Sequence, residues 1–214
     1  MDLALIDFDG TITTKGVYPD FLRFAVPRSR KLAAGIVLSP LIAGYKCGLI
    51  SDPAIRRVLS RASFQGEDPA RVGAQGERFV RDVLPGLIRP IAVERIAWHK
   101  DRGDRVVVVS ASLDVYLLPW CRALALDLIC TELETASDGR LTGRYVQGDC
   151  YGPEKVRRIR ERLQLDDYGA IYAYGDTEDD RAMLDLADRK YFRWQEVHEM
   201  PTASPETRRC HGGV

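Results

Sequence analysis

Cysteine is sparse in this chain of 214 residues, and the five present, Cys47, Cys121, Cys130, Cys150 and Cys210, are scattered without a CxxC pair. That pattern argues against a disulfide framework and suggests a reducing compartment. Net charge is also lacking, because 31 basic residues balance 31 acidic ones. Nothing in that balance announces a nucleic-acid partner. Histidine occurs only at His99, His198 and His211, in no ligand-like spacing, which leaves surface or structural roles. The opening residues have neither the basic region nor the long apolar run of a cleavable signal, so a cytoplasmic location is the expectation. An unbroken apolar span is missing as well. Leu32 to Ile50 comes near in length, with Lys46 its one charge, but Pro40 lies mid-run among Gly35, Gly44 and Gly48. Two short helices are expected there rather than one spanning rod. They suit a buried helical pair in an inserted cap. The competing reading is a cap that touches the bilayer, with the preceding Arg28, Arg30 and Lys31 meeting anionic headgroups.

What is present is concentrated first in Leu3-Ala4-Leu5-Ile6-Asp7-Phe8-Asp9-Gly10-Thr11. Four apolar residues read as a short buried strand, and the run stops at two carboxylates one residue apart. In open α/β sheets ligands sit beyond the carboxyl ends of the strands, where Asp7 and Asp9 fall. Residues i and i+2 share a face of an extended segment, so both carboxylates can address one small space. Two close anions need a shared proton or a cation, and a hard divalent ion such as Mg²⁺ takes oxygen ligands while keeping positions open for phosphate.

Along the chain, Tyr18 to Val26 has helical spacing, and Asp52 to Arg81 is polar helical sequence with Pro53 and Pro69 placed to open helices. Ile91 to Arg102 predicts a helix with Ile91, Ile96 and Ala97 inward. Val106 to Val109 is an all-β-branched strand ending in Ser110-Ala111-Ser112. Asp114 to Ala125 predicts a helix broken or kinked near Pro119, and Leu128 to Cys130 a third strand. Glu132 to Arg144 predicts a hairpin on the Asp138-Gly139 turn. Lys155 falls in the first turn of a helix. Ala170 to Tyr174 predicts a strand ending in Gly175-Asp176-Thr177-Glu178-Asp179-Asp180, then a short helix with Met183, Leu184 and Leu186 inside. A last strand follows at Lys190 to Phe192, with an irregular tail from about Gln195. Strands alternating with helices imply an α/β fold, a doubly wound, mainly parallel Rossmann-like sheet covered on both faces.

These residues resemble the haloacid dehalogenase superfamily. Asp7 to Thr11 is similar to its DxDGT signature, Ser110 to its second motif, Lys155 to its third and Gly175 to Asp180 to its GDxxxD fourth. The stretches Ser110 to Ser112, Asp138 to Gly143 and Glu154 to Val156 are especially similar to the phosphoserine-phosphatase-like branch. The apolar insertion with its basic lead-in also resembles phosphatidylglycerophosphatase C and its relatives. The resemblance implies a catalytic core of residues 1–14 and 86–214 and a helical cap of 15–85. It implies a phosphatase in which Asp7 attacks phosphorus and Asp9 protonates the leaving oxygen, then activates water. Mg²⁺ would be held by Asp7, the Asp9 main-chain carbonyl and Asp176, with Asp180 supporting it through water or a hydrogen bond. Gly10, Thr11, Ser110 and Ala111 would bind phosphate with Asp9 and Lys155, whose charge holds Asp7 and phosphate together. Asp179 is expected only to favour a helix start. Ser112, Arg144 and Arg157 fall near the site without an assignable role.

The implied substrate is a small phosphomonoester such as phosphoserine. A lipid phosphate acted on at the membrane surface and a phosphomutase activity are the alternatives. The acidic fourth motif fits poorly with a metal-free dehalogenase. A regulatory protein that keeps the fold, with phosphoaspartate as a signal, is the non-enzymatic reading, and release of phosphate from an aryl phosphate separates the two. No nucleic-acid partner is expected, and oligomeric state is unreadable.

Overall fold

The computed structural model describes residues 1–199, leaving aside the side chains of 32–38 and 46. Six strands form one sheet in the order β3-β2-β1-β6-β7-β8, with β1 (Leu3–Ile6), β2 (Arg105–Leu113), β3 (Asp127–Thr131), β6 (Ile171–Gly175), β7 (Arg189–Phe192) and β8 (Gln195–Val197). A two-stranded antiparallel ladder, β4 (Leu133–Thr135) with β5 (Leu141–Tyr145), is the hairpin expected on Asp138-Gly139. Pairing is parallel throughout the large sheet except between β7 and β8.

The apolar strands alternate their side chains between two layers. Ala4, Ile6, Val106, Val108, Tyr172 and Tyr174 join the larger core cluster. That cluster also takes buried residues from α1 (Tyr18–Ala25), α5 (Pro90–Asp101) and α6 (Asp114–Ala123). Leu3, Leu5, Val107, Val109 and Ala173 join the second, with residues of α7 (Pro153–Arg162) and α8 (Arg181–Leu184). From β1 the chain winds through β2 to β3 on one side, and β6 then returns to the other side of β1. This reversal is where an α/β sheet opens a crevice at its carboxyl edge. Ile6 lies level with Val108 and Tyr174, so Asp7, Ser110 and Asp176 all emerge at that edge.

Between β1 and α5 the chain inserts α1, α2 (Arg28–Lys46), α3 (Asp52–Phe64) and α4 (Pro69–Asp82). Phe21 and Phe79 meet Tyr116 of α6 at ring-centroid distances of 4.7 and 5.6 Å. Such fully buried aromatics contribute roughly 1.5–3 kcal/mol each. Gly76 permits α4 to lie on α6, since a Cβ there would fall 1.8 Å from the Val115 carbonyl oxygen. Pro119, inside α6, lacks the N–H that would bond that same carbonyl. Rather than breaking α6, the proline leaves a carbonyl for α4 to approach.

Four expectations need correction. Leu32 to Ile50 is not two short helices, since α2 runs unbroken through Pro40. Its ends explain why: Arg30 donates to the Ser63 and Gln65 carbonyls at 3.0 Å and pairs with Glu67, while Tyr45 bonds Asp52. Anchoring at both ends offsets the one backbone bond that Pro40 forgoes. Nor is the second half of this stretch buried, because no described side chain from Ser39 to Ile50 is buried and Leu49 is 82% exposed; the burial of the side chains of 32–38 and 46 lies outside the described ones. Among the described residues, no helix is long and apolar enough to cross a membrane. On α5, Ile91 and Ala97 face solvent, and Ala92, Ile96 and His99 turn inward. His99 sets that face by bonding Asp104 at 2.9 Å and the Tyr174 hydroxyl at 2.8 Å. Finally, Gln195–Val197 is the strand β8 rather than irregular tail. The remainder of the expected tail, from residue 200, lies outside the described residues.

Candidate active site

Asp7 follows β1 in extended conformation and is 5% exposed. Its Oδ1 accepts from Lys155 Nζ at 2.6 Å, and the same ammonium donates to Asp180 Oδ1 at 2.6 Å. Lys155 stands in the first turn of α7, whose start is set by Gly152 in left-handed conformation and by Pro153. Asp180 Oδ2 accepts the backbone N–H groups of Asp176 and Thr177 at 3.1 and 3.2 Å, shaping the loop after β6. Carboxylate oxygens of Asp7, Asp176 and Asp180 lie within 4.8 Å of one another.

Two buried carboxylates thus share one ammonium, and a third, partly buried, stands beside them. Burial, then Asp180, pushes the Asp7 carboxyl well above its ordinary range. Burial, with Asp180 again, pushes Asp176 up to about 6. Burial alone would pull the Lys155 ammonium down, but the Asp180 and Asp7 charges outweigh it and hold it charged. The surplus negative charge and the hard oxygen donors fit a divalent cation. Close approach at this point depends on Gly10, which has φ +84° and whose Cβ would lie 2.4 Å from Asp176 Oδ2.

The Asp9 side chain turns away from that cluster. Its Oδ1 accepts the Val17 N–H at 2.7 Å, and its Oδ2 accepts the Ser112 hydroxyl. Tyr116 donates in turn to Ser112 Oγ at 2.7 Å, which makes a short hydroxyl relay ending on Asp9. Ser110, fully buried, accepts the Ser112 N–H at 3.0 Å. Thr11 donates to Asp176 Oδ1 at 3.1 Å, tying the loop after β1 to the loop after β6. Ala111 lends its carbonyl to Arg56. Asp179 is partly buried and its carboxyl is raised, chiefly by burial, against a bond from Tyr151.

Ser112 therefore gains a partner at the site, whereas Arg144 pairs with Glu134 on the hairpin and Arg157 with Glu154 and Glu161 on the surface of α7. Sequence reasoning missed Arg56. Its guanidinium lies 4.4 Å over the Tyr18 ring, bonds Asp149 Oδ2 at 3.2 Å in the loop before α7 and donates to the Ala111 carbonyl of β2, joining the insertion to the core. The pair Arg56-Arg57 in a polar helix carries no mark of which residue turns inward. Tyr116 was likewise hidden inside an apolar helix.

The sequence profile described as haloacid dehalogenase-like hydrolase matches residues 4–185. Protein CicA of Caulobacter vibrioides is 34% identical over 198 residues, covering 89% of this chain and 85% of that protein. Histidinol-phosphatase of Neisseria meningitidis serogroup C is 30% identical over 114 residues, 50% of this chain and 51% of that protein. A solved structure of a phospho-aspartyl intermediate analogue of phosphoserine phosphatase aligns with a TM-score of 0.59. It covers 89% of this chain and 85% of that one at 22% identity, a likeness of fold.

Proposed function

Since this chain belongs to the haloacid dehalogenase-like hydrolase family, we propose that it is a phosphatase that hydrolyses a phosphomonoester through an aspartyl-phosphate on Asp7. The observation that carries this reading is the buried set of Asp7, Lys155 and Asp180, with the partly buried Asp176 beside it, at the carboxyl edge of β1 and β6. An Asp7 oxygen forms a bond to phosphorus while the ester P–O bond breaks, and Asp9 gives its proton to the leaving alcohol. Asp9 then takes a proton from water, whose oxygen bonds phosphorus and releases Asp7 as free carboxylate and phosphate as product. The hydroxyls of Ser112 and Tyr116 hold Asp9 in place. Lys155 steadies Asp7 against the incoming phosphate and offsets developing charge.

Mg²⁺ suits the oxygen donors of Asp7, Asp176 and the Asp9 carbonyl, with Asp180 in support, and when bound would neutralise charge on the phosphate oxygens. The Ala111 N–H and the Ser110 hydroxyl are the proposed phosphate contacts. Gly10, whose N–H donates to Thr13 Oγ1 at 3.2 Å, and Thr11, whose hydroxyl donates to Asp176, shape the loop around them. Residues 15–85 act as the cap over a core of 1–14 and 86–214, in the cytoplasm. The substrate class is a small phosphorylated metabolite such as phosphoserine, in keeping with the small phosphomonoesters named for the relatives. The test is Mg²⁺-dependent release of inorganic phosphate from an aryl phosphate, followed by a panel of phosphomonoesters. Intact mass of quenched Asp9→Asn should carry a phosphoryl adduct that Asp7→Asn lacks, and turnover without Mg²⁺ or adduct would refute the reading.

The exposed Pro40, Ala43 and Leu49 along and beyond α2 favour a second reading, a lipid-phosphate substrate met at a membrane surface. Lipid phosphates in micelles belong in the same panel.

A further inference from the structure

Phe192 pairs with Gln195, so β7 and β8 are joined by two residues alone, Arg193 and Trp194. Both have positive φ, 51° and 67°. A two-residue I′ turn demands that combination and ordinarily draws Asn and Gly, which adopt it with little strain. Among the described residues the only other non-glycine with positive φ is Ala125. A bulky, charged and aromatic pair in such a turn persists only where its side chains are otherwise engaged.

Here they reach the two loops that bear the carboxylates. The Trp194 indole N–H donates to the Thr11 carbonyl at 3.1 Å, and its ring packs on Tyr174 with centroids 5.4 Å apart. Arg193 Nε donates to the Asp176 carbonyl at 3.2 Å, while its backbone N–H donates to the Gly175 carbonyl at 2.8 Å. The Thr11 hydroxyl donates to Asp176 Oδ1. These bonds close a circuit from the turn to the Asp7 loop, across to Asp176, and back to the turn. Mutual repulsion of Asp7, Asp176 and Asp180 works to spread those loops, and the circuit opposes it with a cation near Asp176.

We propose that the Arg193–Trp194 turn is a positioning clamp that fixes the loops carrying Asp7 and Asp176 at the separation needed to hold a divalent cation. The clamp deepens the phosphatase reading above and rests on it. Neither residue touches the reacting groups. Partners of this outer kind typically cost 10- to 100-fold in metal affinity or activity when removed.

The decisive variant is Arg193→Asn/Trp194→Gly, which installs the turn's preferred residues and deletes both side-chain links. Mn²⁺ serves as the probe, with the free ion followed by electron paramagnetic resonance, beside thermal melts without metal. The clamp predicts a Tm equal to or above wild type, Mn²⁺ affinity lower by about 10- to 100-fold, and a fall in kcat with little change in KM. Trp194→Phe keeps an aromatic ring against Tyr174 but loses the N–H and should give part of that loss, whereas Arg193→Lys should restore most of what Arg193→Gln removes. A folded double variant that binds Mn²⁺ like wild type overturns the proposal. Should that variant fail to fold, wild-type Mn²⁺ affinity in both Trp194→Phe and Arg193→Gln overturns it equally. Wild-type protein that binds no Mn²⁺ refutes the cation reading itself, and the clamp with it.

Discussion

At the carboxyl edge of the sheet, Asp7, Lys155 and Asp180 are buried and joined by bonds of 2.6 Å, whereas in α2 and the turn after it no described side chain beyond Ser39 is buried. The first region spends stability to hold like charges together, and the second leaves apolar surface in water. Each departs from what folding alone favours, but only the first departs in a way that defines a reaction. Carboxylates, an ammonium and a glycine must meet within a few ångströms there, so few residue types can serve. In the insertion, generic apolar packing suffices and many sequences would do.

Replacing the proposed nucleophile should give the largest contrast between the regions. Asp7→Asn is nearly isosteric and should lower turnover on the order of 10⁴-fold or more without lowering the Tm. Asp9→Asn should lose about 10²–10⁴-fold, the scale of acid–base help. Steady-state hydrolysis of an aryl phosphate checks both, and near-normal turnover in Asp7→Asn would rule out the covalent route.

Next comes a substitution that should damage function and improve stability. Asp176 is pushed up to about 6 when folded, above the ordinary carboxylate value of about 4. It therefore favours the folded state below pH ~4, and that advantage is lost as pH rises through about 6. Metal-free Asp176→Asn should exceed wild type in stability at pH 7 on the order of 3 kcal/mol, given about 1.4 kcal/mol per pKa unit over about two units. For a chain of this length that is roughly 6–12 °C in Tm. At pH 4 the gap should close. Mg²⁺ should raise the wild-type Tm at pH 7 and leave the variant unmoved. Melts at the two pH values, with EDTA or Mg²⁺, test the sign, and a variant less stable than wild type at pH 7 would contradict it.

A matched pair of glycine substitutions sharpens the comparison further. In Gly10→Ala the added methyl meets Asp176 Oδ2 at 2.4 Å, while in Gly76→Ala it meets the Val115 carbonyl oxygen at 1.8 Å. The same lesion should read out differently. Gly10→Ala should cost roughly 10²-fold in turnover, the scale of displacing a metal-site partner, with a modest Tm change. Gly76→Ala should cost about 1–3 kcal/mol of stability, as overpacking does, with the Mg²⁺ requirement intact. Equal effects of both on Mg²⁺ dependence would erase the distinction drawn here.

Much of the site was legible because its chemistry is local in sequence. Asp7 and Asp176 each follow a strongly patterned strand, while Ser110 and Lys155 gained weight only from the order and spacing of the motifs. Bonds across the fold were not legible. Nothing in the residues around Ser112 or Tyr116 says that a hydroxyl relay ends on Asp9. Arg193 and Trp194, between the last expected strand and the tail expected from about Gln195, drew no reading at all, because the turn they form prefers quite different residues. Pro40 misled for a related reason, since its local penalty was visible and the anchors at Arg30 and Tyr45 were not.

The smallest effect is expected where the insertion meets solvent. Three basic residues before α2's apolar run would offer about 3 kcal/mol of attraction to anionic lipid if all were free, at about 1 kcal/mol each. Two are engaged within the protein: Arg30 with the Ser63 and Gln65 carbonyls and Glu67, and Lys31 with the Arg23 carbonyl at 2.6 Å. Arg28, which is exposed, leaves about 1 kcal/mol, or roughly a fivefold preference. Flotation on anionic over neutral vesicles should therefore differ by no more than about fivefold, and high salt should abolish the difference because screening acts within about 10 Å. Arg28→Ala should remove it, and Leu49→Ser should weaken binding to both lipids alike. Arg30→Ala should instead lower the Tm, since it releases a contact between α2 and the residues ending α3. Strong, salt-sensitive flotation lost in each of the three basic variants would mean that Arg30 and Lys31 leave their partners for lipid, and would move the substrate toward a lipid phosphate.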